Sequence, residues 1–221
     1  RGLESDQDEE YVRRLCSSMG IPLFVEACDI KAMAEDRHIS LEEAGREARY
    51  TIFERAAGRV GGSKIAVAHN KNDQAETVLM NMVRGSGLDG LRGMDYINGK
   101  TIRPLLDVER ESIEEYCRDN SLGFRTDSSN LKGVFTRNKV RLELIPFIHR
   151  TMGVNPVESI SRMALLLKDD HAYLEEAALR AYRECIGDSG DCEINLSIQA
   201  LNKIHPALRG RVIRNALAEL K

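Results

Sequence analysis

The chain has 221 residues and a formal net charge of −3, enough for one large or two small domains with real cores, and without the overall basic field that announces nucleic acid. With no tryptophan and only 5% aromatic residues, it argues against a stacking platform for single strands, and no apolar run is long enough to span a bilayer. Five cysteines (Cys16, Cys28, Cys117, Cys185, Cys192) are odd in number and lack metal-ligand spacing, which suits reduced thiols in the cytoplasm better than a disulfide framework.

Asp8 to Met19 reads as a helix with Tyr11, Val12 and Leu15 inward and acids in its first turn, stopped by Gly20. Ile21 to Ala27, opened by Pro22, reads as a short strand, and Ala32 to Arg37 as a polar loop. Ser40 starts a well-marked helix: Ser40 and Glu43 have capping-box spacing, Ile39 stands where a staple belongs, and Leu41, Gly45, Ala48 and Ile52 recur as an inward stripe. Arg46, Arg49, Tyr50 and Phe53 share a neighbouring face. On its own, Arg46 reads as a surface partner of Glu42 at i, i+4.

The densest polar cluster follows. Ile65 to Ala68, between Gly61-Gly62 and polar residues, reads as a buried strand. His69, Asn70 and Asn72 lie at its carboxyl end, and a helix begins near Asp73 with Val78, Leu79, Met82 and Val83 as its apolar face. In open α/β sheets this is where ligands sit, and a helix amino terminus favours anions. Asp73 and Glu76, at i, i+3, share one face. That spacing serves two purposes equally well: a capping box, or two oxygen ligands for a nucleotide-bound Mg²⁺. Arg84 to Met94 then places glycines at 85, 87, 90 and 93, which let backbone approach a ligand closely; Arg84, Gly85 and Gly87 are the candidates for nucleotide contact.

Thr101 to Leu106 returns as a strand ending at Pro104, with Arg103 facing either solvent or substrate. Glu109 to Asn120 is a helix with Ile113, Tyr116 and Cys117 inward. From Lys132 to Arg150 the chain turns basic (Lys132, Arg137, Lys139, Arg141, Arg150), and Arg137 and Arg141 share a face if helical. Lysine and arginine in such a run are solvated surface or phosphate contacts. Composition shifts at Thr151 to Pro156. Beyond it Ile160, Met163, Leu167, Leu174, Ala177 and Ala181 step through one long helix. A loop covers Gly187 to Cys192, Ser197 caps a short helix, and Pro206 opens another with Leu208, Val212, Ala216 and Leu220 inward. Arg209, Arg211 and Arg214 read as surface charge.

Ala68-His69-Asn70-Lys71-Asn72-Asp73-Gln74-Ala75-Glu76-Thr77, followed by Arg84-Gly85-x-Gly87-Leu88-x-Gly90-Leu91-x-Gly93-Met94, resembles the second signature of the tRNA(Ile)-lysidine synthetases, which are PP-loop (N-type) ATP pyrophosphatases. The likeness continues in Ile102-Arg103-Pro104-Leu105-Leu106, in Asp127-Ser128-Ser129-Asn130, in Phe135-Thr136-Arg137-Asn138-Lys139-Val140-Arg141, and upstream in Glu42 to Tyr50. Arg1 to Asp6 resembles the family's turn after its second strand. The family's phosphate loop, Ser-Gly-Gly-x-Asp-Ser, is nowhere in this sequence, so the resemblance implies a fragment.

The implied fold is α/β: a Rossmann-like (adenine nucleotide alpha hydrolase-like) parallel sheet, N-terminally incomplete, over residues 1–150, and a small helical substrate-recognition domain over 151–221. The implied activity is ATP-dependent ligation of lysine to the wobble cytidine of tRNA(Ile) through an adenylated intermediate. ATP and Mg²⁺ are the implied cofactors; tRNA(Ile) and L-lysine are the implied partners, with a homodimer allowed and no membrane. In this reading Asp73 and Glu76 hold the metal, and Arg46 or Arg49 meets phosphate or substrate. His69 or Asn70 orients the nucleotide, and Arg103, Arg137, Lys139 and Arg141 meet RNA. The chain departs from the family's His-His-x-Asp-Asp: Asn72 removes a negative charge, and either His69 or Asn70 inherits the histidine role. Two alternatives stand: a PP-loop enzyme that thiolates tRNA, and a non-catalytic tRNA-binding remnant.

Overall fold

The computed structural model of the protein describes residues 3–125, 136–187, 190 and 193–220. Arg1-Gly2, Asp127 to Asn130, Lys132, Phe135 and Cys192 lie outside the described residues. In chain order the elements are α1 (Leu3–Met19), α2 (Ile30–Arg37), α3 (Leu41–Arg59), β1 (Ile65–Ala66), α4 (Lys71–Val83), α5 (Leu88–Leu91), β2 (Ile97–Asn98), β3 (Thr101–Ile102) and α6 (Arg110–Asp119). There follow α7 (Thr136–Lys139), a π-helical turn (Val140–Leu144), α8 (Ile145–Met152), α9 (Pro156–Cys185), α10 (Ile198–Lys203) and α11 (Pro206–Glu219). They form two compact units: residues 1–70 with 95–130, and residues 71–94 with 131–221. No helix among the described residues is long and apolar enough to cross a membrane.

The first unit carries a small mixed sheet of order β1-β3-β2. β1 runs parallel to β3, with Ile65 opposite Thr101, and β2 runs antiparallel to β3, with Ile97 opposite Ile102. The hairpin loop is Gly99-Lys100. Gly99, at φ 58°, supplies the positive φ that such a two-residue turn needs at its first position. β1 is an edge strand among those described, so it is not the buried strand expected. Ile65 and Val67 are half-buried, and Ala66 and Ala68 are exposed.

Around the sheet, α3 forms as its cap predicts: Ser40 Oγ accepts from the Glu43 amide at 3.2 Å. Its buried residues are Ala44 and Ala48; of the expected stripe Ala48 is buried, Gly45 and Ile52 are half-buried, and Leu41 is 55% exposed. α1 starts at Leu3, so Leu3 to Asp6 are helical rather than a turn. It ends at Gly20, whose φ is 66°. Its inward face omits Val12, and the Tyr11 hydroxyl donates to the Gly123 carbonyl. Ile21 to Ala27, expected as a strand, forms no strand: Pro22 lacks a donor, and Ile21, Phe24 and Val25 stay exposed. Ala32 to Arg37 is helix, not loop, because Asp29 caps it by accepting from the amides of Lys31 (3.1 Å) and Ala32 (3.0 Å). In α6 Ile113 and Cys117 turn inward, but Tyr116 is exposed.

The second unit is helical. α9 is a single 30-residue helix begun by Pro156 and capped by Asn155, whose side chain accepts from the amides of Val157 and Glu158. Its C-terminal half packs on α11 around Ala181, Tyr182, Cys185, Val212 and Ala216. Its N-terminal half packs on α4. The buried stripe of α9 runs through Val157, Ala164, Ala178 and Ala181, so Met163 turns outward. α4 buries Ala75, Glu76, Val78 and Leu79, while Met82 and Val83, expected inward, are exposed. α10 and α11 start at Ser197 and Pro206 as expected; Leu220 is exposed. α7, the π turn and α8 form one helical run. Within it the Ile145 amide reaches back to the Val140 carbonyl, a five-residue step, just before Pro146. Pro146 has no amide to return to Leu142, and the wide turn relieves the clash its ring would cause there.

Candidate active site

Helix α4 starts at Lys71, two residues before Asp73, so Asp73 already lies inside the first turn and is not the N-cap. The capping-box reading of Asp73 and Glu76 therefore falls. Both carboxylates bind guanidinium groups instead. Arg137 Nε donates to Glu76 Oε2 at 2.8 Å, and its Nη2 donates to Asp73 Oδ1 at 3.1 Å. Arg141 Nε donates to Glu76 Oε1 at 2.6 Å, and its Nη2 reaches Glu76 Oε2 at 3.0 Å and Asp73 Oδ1 at 3.3 Å. Glu76 is 0% exposed, a burial no carboxylate tolerates unpaired. Burial works to lower the Arg141 pKa, but the Glu76 hydrogen bond and the charges of Glu76 and Asp73 prevail, and the net shift is upward.

This geometry corrects the metal reading of Asp73 and Glu76. Every oxygen of Glu76 and Oδ1 of Asp73 accepts from a guanidinium, and the two acids and two arginines cancel in charge. A divalent ion bound by both carboxylates would have to displace two charge-assisted forks. The residues do not fit Mg²⁺ as folded. They fit a different purpose: Arg137 and Arg141 are held by both acids, 30% and 19% exposed at the side chain, and neither Nη1 group bonds to another described residue. The two arginines do share one helical face, as their spacing predicts.

The glycine-rich segment is fastened just beyond α4. Gln74 Oε1 accepts from the Met94 amide at 2.7 Å, while Gln74 Nε2 donates to the Met94 carbonyl at 3.1 Å. Asn81 Nδ2 donates to the Gly90 carbonyl at 2.9 Å. Gly93, at φ 66°, lies so close to Gln74 that a Cβ there would meet its amide at 2.7–2.8 Å. Sequence reasoning missed Gln74 and Asn81. The available signal was Gln74 itself, a polar residue one helical turn before Val78 on a buried face, where an amide needs a partner. Arg84, Gly85 and Gly87 are exposed, Gly85 at φ 77°.

Arg46, Arg49, His69, Asn70 and Arg103 belong to the first unit. Arg46 and Arg49 are exposed on α3; the Arg46 guanidinium lies 5.3 Å from the Tyr50 ring centroid, and Tyr50 meets Phe53 edge-on at 6.0 Å. His69 is half-buried and Asn70 buried, at the carboxyl side of β1. Arg103 is only 5% exposed and donates from Nη1 to the Asp95 carbonyl at 2.7 Å. It offers no surface to RNA, because the turn after β3 folds it inward. Lys139 is exposed, whereas Arg211, read as surface charge, is buried beside Glu175.

Comparison with known proteins adds the following. The family model described as "PP-loop domain" matches residues 1–148. Over the whole chain the protein is 44% identical to the tRNA(Ile)-lysidine synthase of Clostridioides difficile, covering 48% of that protein. It is 42% identical over 97% of the chain to that of Caldanaerobacter subterraneus, covering 46%, and 38% identical over the whole chain to that of Geobacter sulfurreducens, covering 47%. The chain thus spans about half the length of the curated relatives it matches. Among solved structures, the U34-tRNA thiolase NcsA from Methanococcus maripaludis superposes with a TM-score of 0.57 at 16% identity, over 76% of this chain and 59% of that one, a likeness of fold alone. With the motif blocks, the parallel β1–β3 pair and the family match agreeing, the chain belongs to the PP-loop family.

Proposed function

We propose that this chain is part of a cytoplasmic enzyme that uses ATP to join lysine to the wobble cytidine of tRNA(Ile). The observation that carries the reading is end-to-end likeness: relatives bearing that name align over 97–100% of the chain. ATP would adenylate the cytosine carbonyl oxygen and release pyrophosphate; the lysine amine would then attack that carbon and displace AMP. Such chemistry asks the protein for positioning and for charge stabilisation as phosphate leaves. Arg137 and Arg141, orientated by Asp73 and Glu76, are suited to hold phosphate through their Nη1 groups, from the nucleotide or from RNA. Arg46 or Arg49 supplies a further guanidinium, and His69 or Asn70 orients the nucleotide. Mg²⁺ would arrive with ATP as its counter-ion, and no step is assigned to it through Asp73 and Glu76. L-lysine and a second copy of the chain complete the proposed partners.

Full-length protein incubated with tRNA(Ile), ATP and labelled lysine should yield a nucleoside carrying the label at the expense of cytidine, read by mass analysis. Pyrophosphate release with no labelled nucleoside would overturn the lysine assignment. The thiolase reading has fold likeness behind it; sulfur rather than lysine in the product would establish it. Binding of tRNA without ATP turnover by the full-length protein would establish the remnant.

A further inference from the structure

The side chains that fasten α4 and the glycine-rich segment to the rest of the second unit come largely from one stripe of α9. Glu158 pairs with Lys71, the first residue of α4. Ser161 Oγ donates to the Lys71 carbonyl over a long 3.5 Å. Lys168 Nζ donates to the Met94 carbonyl at 2.7 Å. His171 Nε2 lies 2.9 Å from Asp89 Oδ1. Residues 158, 161, 168 and 171 fall on one side of a helix, and Ala164, at 0% exposure between them, lets α4 approach.

Asp89 belongs to α5, inside the glycine-rich segment, and is met from α11 as well. Arg211 Nη2 is 3.4 Å from its Oδ1 and Arg214 Nη2 is 3.3 Å from its Oδ2. Arg211 is itself held by Glu175 on α9. The grouping of Asp89, His171 and Glu175 has ligand atoms close enough for a cation. The Arg211 guanidinium already bridges the two carboxylates, however, so an added cation would compete with a buried one. The group is therefore an ion network joining three helices.

We propose that α9 is a template that fixes the distance between the start of α4 and the glycine-rich segment, with Lys168, Asp89 and Glu158 as positioning residues. Its reach into catalysis rests on the ligase reading given above. A continuous helix suits this purpose, because the backbone bonds between α4 and the glycine-rich segment are confined to the turn at residues 84–86. Without an external rule, the glycines at 85, 87, 90 and 93 would leave the segment free to sample many conformations. Gln74 fixes one end from α4; Lys168 and Asp89 fix the same end and the middle from α9 and α11.

Amide hydrogen exchange on the full-length protein tests the template without reference to activity. Lys168→Met and Asp89→Asn should each speed exchange of the amides of residues 90–94 at least about tenfold, with α9 amides near Ala178 unchanged; Lys168→Arg should restore the parent rates. Unchanged exchange at 90–94 in both variants would overturn the proposal. So would uniform acceleration through α9 and α11, which marks plain destabilisation. In turnover with tRNA(Ile), ATP and lysine, Lys168→Met should lower kcat more than it raises KM for ATP; unchanged kcat and KM beside faster exchange would overturn the positioning role. If the parent protein shows no turnover at all, the ligase reading fails while the exchange measurement still decides the template.

Discussion

Glu76 is the residue on which the second unit turns. It is fully buried and accepts from two arginines that follow it by more than sixty positions. Removing one partner of such a buried pair costs about 3–5 kcal/mol, because the other charge is left in a poorly solvating place. Arg141→Ala is therefore expected to lower stability toward the bottom of that range, since Arg137 remains, and Glu76→Ala toward the top; urea unfolding midpoints of the two variants check the order. Asp73 is more exposed and shares its partners, so Asp73→Asn should reduce turnover severely with a smaller loss of stability. This cluster was half-legible. The spacing of Asp73 and Glu76 and that of Arg137 and Arg141 each announced a shared face. That the two faces meet was not in any local pattern, because no periodicity reports which helices pack together.

At the scale of elements, four of the helices that the sequence foretold carry chemical punctuation at their starts. Ser40, Asn155, Ser197 and Pro206 each stand at a helix start and cap or open it as such residues do. Ser40→Ala should cost about 1 kcal/mol, seen as a lower melting temperature. Misreadings arose where punctuation was overlooked, as at Asp29, or where pairing partners decide the outcome, as for Ile21 to Ala27. The expected inward stripes of α3 and α9 hold at Ala48 and Ala181 and depart at Leu41 and Met163, which are exposed. At those two places the buried residues are the alanines Ala44 and Ala164. Gly93→Ala joins a left-handed backbone to a collision with Gln74, and about 1–2 kcal/mol for the backbone alone is expected. Its mark beyond stability should be faster exchange of the Met94 amide, which Gln74 would no longer hold.

At the scale of the whole molecule, an exposed cation is what RNA binding would register. Lys139 is exposed, so a Lys139→Ala variant of the full-length protein should bind tRNA more weakly, with a salt slope shallower by about 1. Alkaline stability has a separate origin in the first unit. Burial, then the hydrogen bond to Asp107 and its charge, push the Tyr96 hydroxyl from 10.0 up to about 12. The folded state holds this proton more tightly than the unfolded chain. The stabilisation is thus complete below pH 10 and is lost as pH rises toward about 12. Tyr96→Phe should flatten that part of the melting-temperature profile.

The wide turn before Pro146 has a bearing on how the two guanidinium forks stay in step. A five-residue loop of backbone delays everything after it by most of a residue's rotation, and Arg141 sits inside that delay while Arg137 sits ahead of it. Exchanging the ring for an alanine would let the run wind regularly and swing the later fork sideways, so that one pyrrolidine keeps two cations aimed alike.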